Sequence, residues 1–190
     1  MNKQELRRSL LKIRQSIPAP QWQEKSQQLC THLQNSPQFQ QAKTILAYFS
    51  FRQEPDLSFL WTSTPEKIWG FPRCQGESLT WHQWHPPQPR VKNSYGIWEP
   101  LEKAPLIVPS EVDLILVPAI ACTPFGYRLG YGGGFYDRML STPPWSHKLT
   151  IGAIFDFAQF PQLPTEPWDI PLTGVCTETG YSTITNPKFD

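Results

Sequence analysis

Between residue 3 and about residue 17, apolar side chains recur at Leu6, Leu10, Ile13 and Ile17. With about 100° per residue these fall on one face, which predicts an amphipathic helix. On the same wheel Lys3, Arg7 and Arg14 cluster beside that face rather than opposite it. On the residues alone such a row reads as a solvated basic edge, although it can also lean over a cleft rim while the apolar stripe is anchored. A second helix is predicted from about Pro20 to Leu33, since proline is tolerated in a first turn. The pattern then changes. "TILAYFSF" (44–51) and "DLILVPA" (113–119) are continuous apolar runs and read as buried central strands. "KIWGFP" (67–72) and "SLTWHQW" (78–84) read as further strands, the second alternating and half exposed. "LTIGAIF" (149–155) adds another, and "GVCTETGY" (174–181) the last. "GFYDRML" predicts a helix directly after a glycine-rich loop.

Strands alternating with helical segments predict an α/β fold whose central sheet is mostly parallel and flanked by helices. At 190 residues the chain suits one domain, 1–190, with a core of its own. Its 21 prolines are about twice the usual ~5% share and mark ordered loops, notably at 86–89, 143–144 and 161–171. A net charge of +1 gives no global attraction to nucleic acid or membrane, and no partner of either kind is expected. The four cysteines lie more than 40 residues apart without a C-x-x-C, which argues against zinc or a disulfide framework and fits a reducing compartment. The charged N-terminus lacks the apolar core of a signal peptide, and no apolar run reaches 18 residues. A cytoplasmic, monomeric protein is expected.

The densest chemistry lies in "RLGYGGGFYDR" (128–138). Gly130, Gly132, Gly133 and Gly134 let backbone amides approach an anion, and the following helix start adds its positive end. The loop comes too late in the chain for a dinucleotide fingerprint, and no Lys-Ser or Lys-Thr follows it to make a P-loop. Arg128 offers a fork of donors to phosphate, and Asp137 offers a hard oxygen to Mg²⁺. Tyr131, Phe135 and Tyr136 offer flat faces to a heteroaromatic ring. His82 and His85 alternate across a strand and do not make a metal pair. Cys122 reads as a small buried residue. On the residues alone Trp98 reads as core, Glu54 as a solvated loop residue and Asp169 as a turn residue.

Five ordered segments together resemble the 5-formyltetrahydrofolate cyclo-ligase family. They are "KQELR" (3–7), "YFSFRQEPD" (48–56), "YGIWEP" (95–100), "LVPAIACTPFGYRLGYGGGFYDR" (116–138) and "WDIPLTGVCTE" (168–178). The resemblance implies ATP-dependent closure of 5-formyltetrahydrofolate to 5,10-methenyltetrahydrofolate, with release of ADP and phosphate. It also implies a sandwich related to ribose-5-phosphate isomerase and CoA transferases. Carried over by position, Lys3, Arg7, Arg128, Gly130, Gly132, Gly133, Gly134 and Tyr136 would hold ATP, with Arg128 acting on the transferring phosphoryl group. Asp137 and Asp169 would hold Mg²⁺, and Phe49, Glu54, Trp98, Tyr131 and Phe135 would line the folate site. The chain departs from the common pattern at Trp168, where histidine is frequent, and at Phe135, where tyrosine is frequent. Thr123 and Thr173 stand where aspartate is common. A folate- or nucleotide-binding module without turnover and a nicotinamide-dependent oxidoreductase are the competing readings.

Overall fold

The computed structural model describes residues 2–184. Helix α1 (Lys3–Gln15) opens on a reciprocal cap. The Asn2 side chain accepts from the amides of Gln4 and Glu5 at 3.0 and 2.9 Å, and Glu5 accepts from the Asn2 amide at 3.0 Å. Next come α2 (Ala19–Gln34), α3 (Pro37–Gln41), β1 (Thr44–Leu46), α4 (Ser58–Ser63), β2 (Ile68–Gln75) and β3 (Ser78–Gln83). A small hairpin, β4 (Arg90–Lys92) and β5 (Trp98–Pro100), precedes β6 (Leu114–Pro118). A second hairpin, β7 (Ala121–Cys122) and β8 (Arg128–Leu129), leads through the glycine loop into α5 (Phe135–Leu140). β9 (Leu149–Ala153), β10 (Gly174–Thr177) and β11 (Gly180–Thr183) close the described chain.

The main sheet has the order β11-β10-β9-β6-β1-β2-β3. Its five inner strands are parallel and both edge pairings are antiparallel. The fold is therefore mixed α/β with a mostly parallel centre. Alternation sorts the side chains: Ile45, Leu114 and Leu116 join α2 residues Leu29 and Leu33 on one face, while Leu46, Ile115 and Val117 join Leu10, Met139 and Leu140 on the other. An aromatic group of Phe49, Trp61, Phe71 and Trp84 fills the first face, with Phe49 stacked on Phe71 at 4.1 Å between centroids. Among the described residues no helix is long and apolar enough to cross a membrane.

Three expectations change. Residues 174–181 are not one strand, because the chain turns at Glu178–Thr179 and returns as β11. Only Thr44–Leu46 of the 44–51 run is strand; after one more hydrogen bond, from the Ala47 amide to the Gly70 carbonyl at 2.8 Å, the chain leaves the sheet without regular structure. Helix α1 is rolled toward its basic edge. Arg14 is buried at 3% exposure, whereas Ile13, on the far side of the apolar stripe, is 47% exposed.

Candidate active site

In a parallel α/β sheet, ligand crevices form beyond the carboxyl ends of the strands where the winding direction reverses. Here that point lies between β1 and β6, because β2 adds on one side of β1 while β6 and β9 add on the other. A cavity of about 1060 Å³ opens there. Its walls come from the segment after β1, from α1, from the glycine loop with α5, and from the 166–170 turn.

One end is cationic. Lys3 pairs with Asp169 at 2.6 Å, and Arg7 donates from Nε to the Gly130 carbonyl at 2.7 Å. Arg128, with a side chain only 4% exposed, donates from Nη1 to Asp137 Oδ1 at 2.9 Å and to the Ile170 carbonyl at 3.2 Å. The glycine loop is held from both flanks, since Arg138 Nη2 donates to the Gly133 carbonyl at 2.8 Å. Gly132 and Gly134 sit at φ +101° and +68°, the region that L side chains avoid. A Cβ on Gly132 would stand 3.6 Å from the Arg7 guanidinium carbon, so the loop's surface there abuts a cation. The helix after the loop is six residues long, and its dipole is correspondingly small.

The other end carries a buried carboxylate. Glu54 is 3% exposed and accepts from the Phe51 amide at 3.0 Å through Oε2. Burial pushes its pKa up to about 7, although Arg14, the Phe51 amide, Tyr131 and Arg52 all favour the charged form. The turn that carries it holds Arg52 and Gln53 at φ 49° and 55°. The Glu54 backbone carbonyl accepts from Trp22 Nε1 at 3.0 Å and from Ser50 Oγ at 2.7 Å, which fixes the turn to α2 and to the segment after β1. Glu99 of β5, which lines the same cavity, is buried too, accepting from the Cys74 amide and from Asn93 Nδ2, each at 2.8 Å. The Tyr136 hydroxyl is buried without a hydrogen-bond partner among the described residues.

The sequence profile of the 5-formyltetrahydrofolate cyclo-ligase family matches residues 1–178. The chain belongs to that family. It is 33% identical over 181 residues to the 5-formyltetrahydrofolate cyclo-ligase of Haemophilus influenzae, covering 90% of this chain and 94% of that one. It is 33% identical over 177 residues to that of Escherichia coli K12, covering 86% and 93%. The NMR structure of Aquifex aeolicus 5,10-methenyltetrahydrofolate synthetase superposes with a TM-score of 0.86 at 31% identity, covering 98% of this chain and 94% of that one. A Mycoplasma pneumoniae 5,10-methenyltetrahydrofolate synthetase, at 19% identity and a TM-score of 0.76, shares the fold over 94% of this chain and 99% of its own.

Of the residues the cyclo-ligase resemblance singles out, Lys3, Arg7, Phe49, Glu54, Arg128, Gly130 to Asp137 and Asp169 all line the one cavity. Trp98 does not. It lies on the outer side of β5 against Arg90 and Lys92, 5.1 and 4.9 Å from the ring, while its neighbour Glu99 faces the cavity. Glu54 is not the solvated residue its local sequence suggests. Asn93, Cys74 and Glu99 also line the cavity and were missed; the alternation of "WEP" could have pointed to Glu99. The thiols do not look nucleophilic: burial pushes Cys122 up to about 12, and burial with Glu99 raises Cys74. His82 is buried against the Ala104 carbonyl, and His85 is exposed.

Thr123 and Thr173, two of the four departures from the pattern that the resemblance implies, have local roles. Thr123 Oγ1 accepts from the Phe125 and Tyr127 amides at 3.3 and 3.2 Å, shaping the β7–β8 turn. Thr173 exchanges hydrogen bonds with Thr150 at 2.8 and 3.0 Å. No group of three or more His, Cys, Asp or Glu side chains is placed to hold a metal among the described residues. Mg²⁺ on a nucleotide ordinarily takes one or two carboxylates, with phosphates and water completing the shell. Asp137 and Asp169 fit that demand. Their protein contacts fall on Oδ1 of the first and Oδ2 of the second, leaving one oxygen of each for a cation.

Proposed function

We propose that this cyclo-ligase family member closes 5-formyltetrahydrofolate to 5,10-methenyltetrahydrofolate while converting ATP to ADP and phosphate. One observation supports it above the others: a single cavity joins a cationic glycine-loop end to a buried carboxylate end. Lys3, Arg7, Arg128, Gly130, Gly132, Gly133, Gly134 and Tyr136 would hold ATP. Phe49, Glu54, Tyr131 and Phe135 would hold the folate, with the Glu54 carboxylate accepting from the two adjacent N–H donors of the pterin. Asp137 and Asp169 would hold Mg²⁺, which when bound supplies charge neutralisation at the phosphates. The same reading takes the protein as a cytoplasmic monomer without nucleic-acid or membrane partners.

The chemistry follows from the leaving group. The N5-formyl oxygen is too poor a leaving group for N10 to displace directly. Transfer of the γ-phosphoryl group from ATP to that oxygen turns it into a phosphate ester and releases ADP. N10 then bonds to the formyl carbon and gives up its proton, and the C–O bond breaks to release phosphate and leave the methenyl bridge. Phosphoryl transfer needs chiefly alignment and charge stabilisation. Arg128 is held for that by Asp137 and Ile170, and Lys3 and Arg7 bring two further cations. No side-chain nucleophile is required. Incubating the protein with 5-formyltetrahydrofolate, ATP and Mg²⁺ should give methenyl absorbance that depends on all three. Ligand binding without turnover would support the binding-module reading instead.

A further inference from the structure

Arg14 is 3% exposed and does not line the cavity. A buried guanidinium is costly unless its donors are satisfied. Here each nitrogen is taken by a different segment. Nε donates to the Arg52 carbonyl at 3.0 Å, Nη1 to the Ala119 carbonyl at 3.2 Å, and Nη2 to the Tyr131 hydroxyl. Those acceptors belong to the turn before Glu54, the chain just beyond β6, and the glycine loop. The guanidinium also lies 5.6 Å from the Tyr131 ring centroid.

The contact with Arg52 bears on an unfavourable backbone. Arg52 and Gln53 both occupy the left-handed region, at φ 49° and 55°, where a non-glycine residue is held only by its surroundings. Both are tied to the end of α1: Arg52 through Arg14, and Gln53 by donating from Nε2 to the Ile17 carbonyl at 3.2 Å. This double-left-handed turn folds Glu54 back onto the Phe51 amide. Lys3, Arg7 and Arg14 share one face of α1, and 11 residues separate the first from the last, a rise of roughly 16 Å. The helix thus spans from the cationic end of the cavity to the carboxylate end.

We infer that Arg14 is a positioning residue for the folate end of the cavity. It holds the 51–54 turn and Tyr131 in one geometry and keeps a buried cation beside Glu54. The inference rests on the reading of Glu54 as the pterin's acceptor. The ionisable groups facing Glu54 are Arg14 from α1, Arg52 from its own turn, Tyr48 beyond β1, Tyr131 from the glycine loop and Tyr136 from α5. Only the two arginines are cationic, and Arg52 is exposed, so water and salt screen it. Arg14 is the larger influence holding the Glu54 pKa down against burial.

The test is calorimetric binding of 5-formyltetrahydrofolate, without nucleotide, to the full chain and to Arg14→Gln and Arg14→Lys across pH 6–9. ATP binding without folate is measured in parallel. Arg14→Gln should lose at least about tenfold in folate affinity at pH 7 and move the midpoint of its pH dependence upward by about one unit. ATP affinity should stay within about threefold. Arg14→Lys should keep the midpoint, because the charge remains, yet bind folate more weakly, because one ammonium cannot serve three separated acceptors. Equal losses for both ligands with an unmoved midpoint in Arg14→Gln would overturn the inference in favour of a purely structural role. Wild-type folate affinity in Arg14→Lys would overturn it as well, and decides the matter if Arg14→Gln does not fold. Failure of the wild-type chain to bind 5-formyltetrahydrofolate at all would instead overturn the functional reading beneath it.

Discussion

Replacing Glu54 by glutamine isolates what a buried carboxylate does to this fold. Glu54 is 3% exposed, and its pKa stands at about 7 against an ordinary 4.5. The folded state therefore holds its proton more tightly than the unfolded state does. The sign follows: between the two values the folded chain binds more protons, so stability falls as pH rises from about 4.5 to about 7. A gap of about 2.5 units at ~1.4 kcal/mol each amounts to about 3 kcal/mol. Glutamine keeps the shape and an acceptor for the Phe51 amide but has no proton to lose. Glu54→Gln should therefore be more stable than the wild type by about 3 kcal/mol at pH 8, and by less than about 1 kcal/mol at pH 5. The same variant should bind 5-formyltetrahydrofolate more weakly at pH 8, where the wild-type carboxylate is ionised. Urea unfolding at the two pH values measures the first effect. Equal stability of the two proteins at pH 8, or a more stable wild type, would refute the argument that burial dominates at Glu54.

Arg128→Ala removes a nearly buried guanidinium that Asp137 and the Ile170 carbonyl orient, and turnover should fall on the order of 10²-fold. Unchanged turnover in a variant with native circular dichroism would exclude Arg128 from phosphoryl transfer. Asp137→Asn keeps the shape while losing the charge, so activity should need a higher Mg²⁺ concentration and be partly restored by it; an unaltered Mg²⁺ titration would leave Asp137 only as the partner of Arg128. Deleting residues 1–8 takes away Lys3 with its Asp169 pair and Arg7 with its Gly130 contact, while leaving Arg14 in place. The apparent ATP requirement should rise sharply and nucleotide-free folate binding should change little, as equilibrium titrations of both ligands would show.

The parallel centre of the sheet was legible because its strands are continuous apolar runs, and buried parallel strands have no alternation to hide. The β7–β8 hairpin was not, since two-residue strands leave no periodic signal. The glycine loop and its flanking Arg128 and Asp137 stood out by composition, and the structure places them along one cavity wall. Arg14 was legible as part of a basic row, but its burial was not. Its helix reads as amphipathic with Ile13 inward, but three acceptors from distant segments satisfy a buried guanidinium and roll the helix toward its basic edge. Trp98 misled in a simpler way, because strand alternation directs Glu99 inward in its place. Long-range hydrogen-bond partners decided the burial of Arg14, and a local window of sequence does not contain them.

The central claim is that the formyl oxygen leaves as phosphate. It is tested most directly with 5-formyltetrahydrofolate carrying ¹⁸O in the formyl group, incubated with the protein, ATP and Mg²⁺, followed by mass analysis of the released phosphate. Phosphoryl transfer to the formyl oxygen predicts one ¹⁸O in each phosphate formed per methenyl product. Methenyl product accompanied by unlabelled phosphate would contradict it.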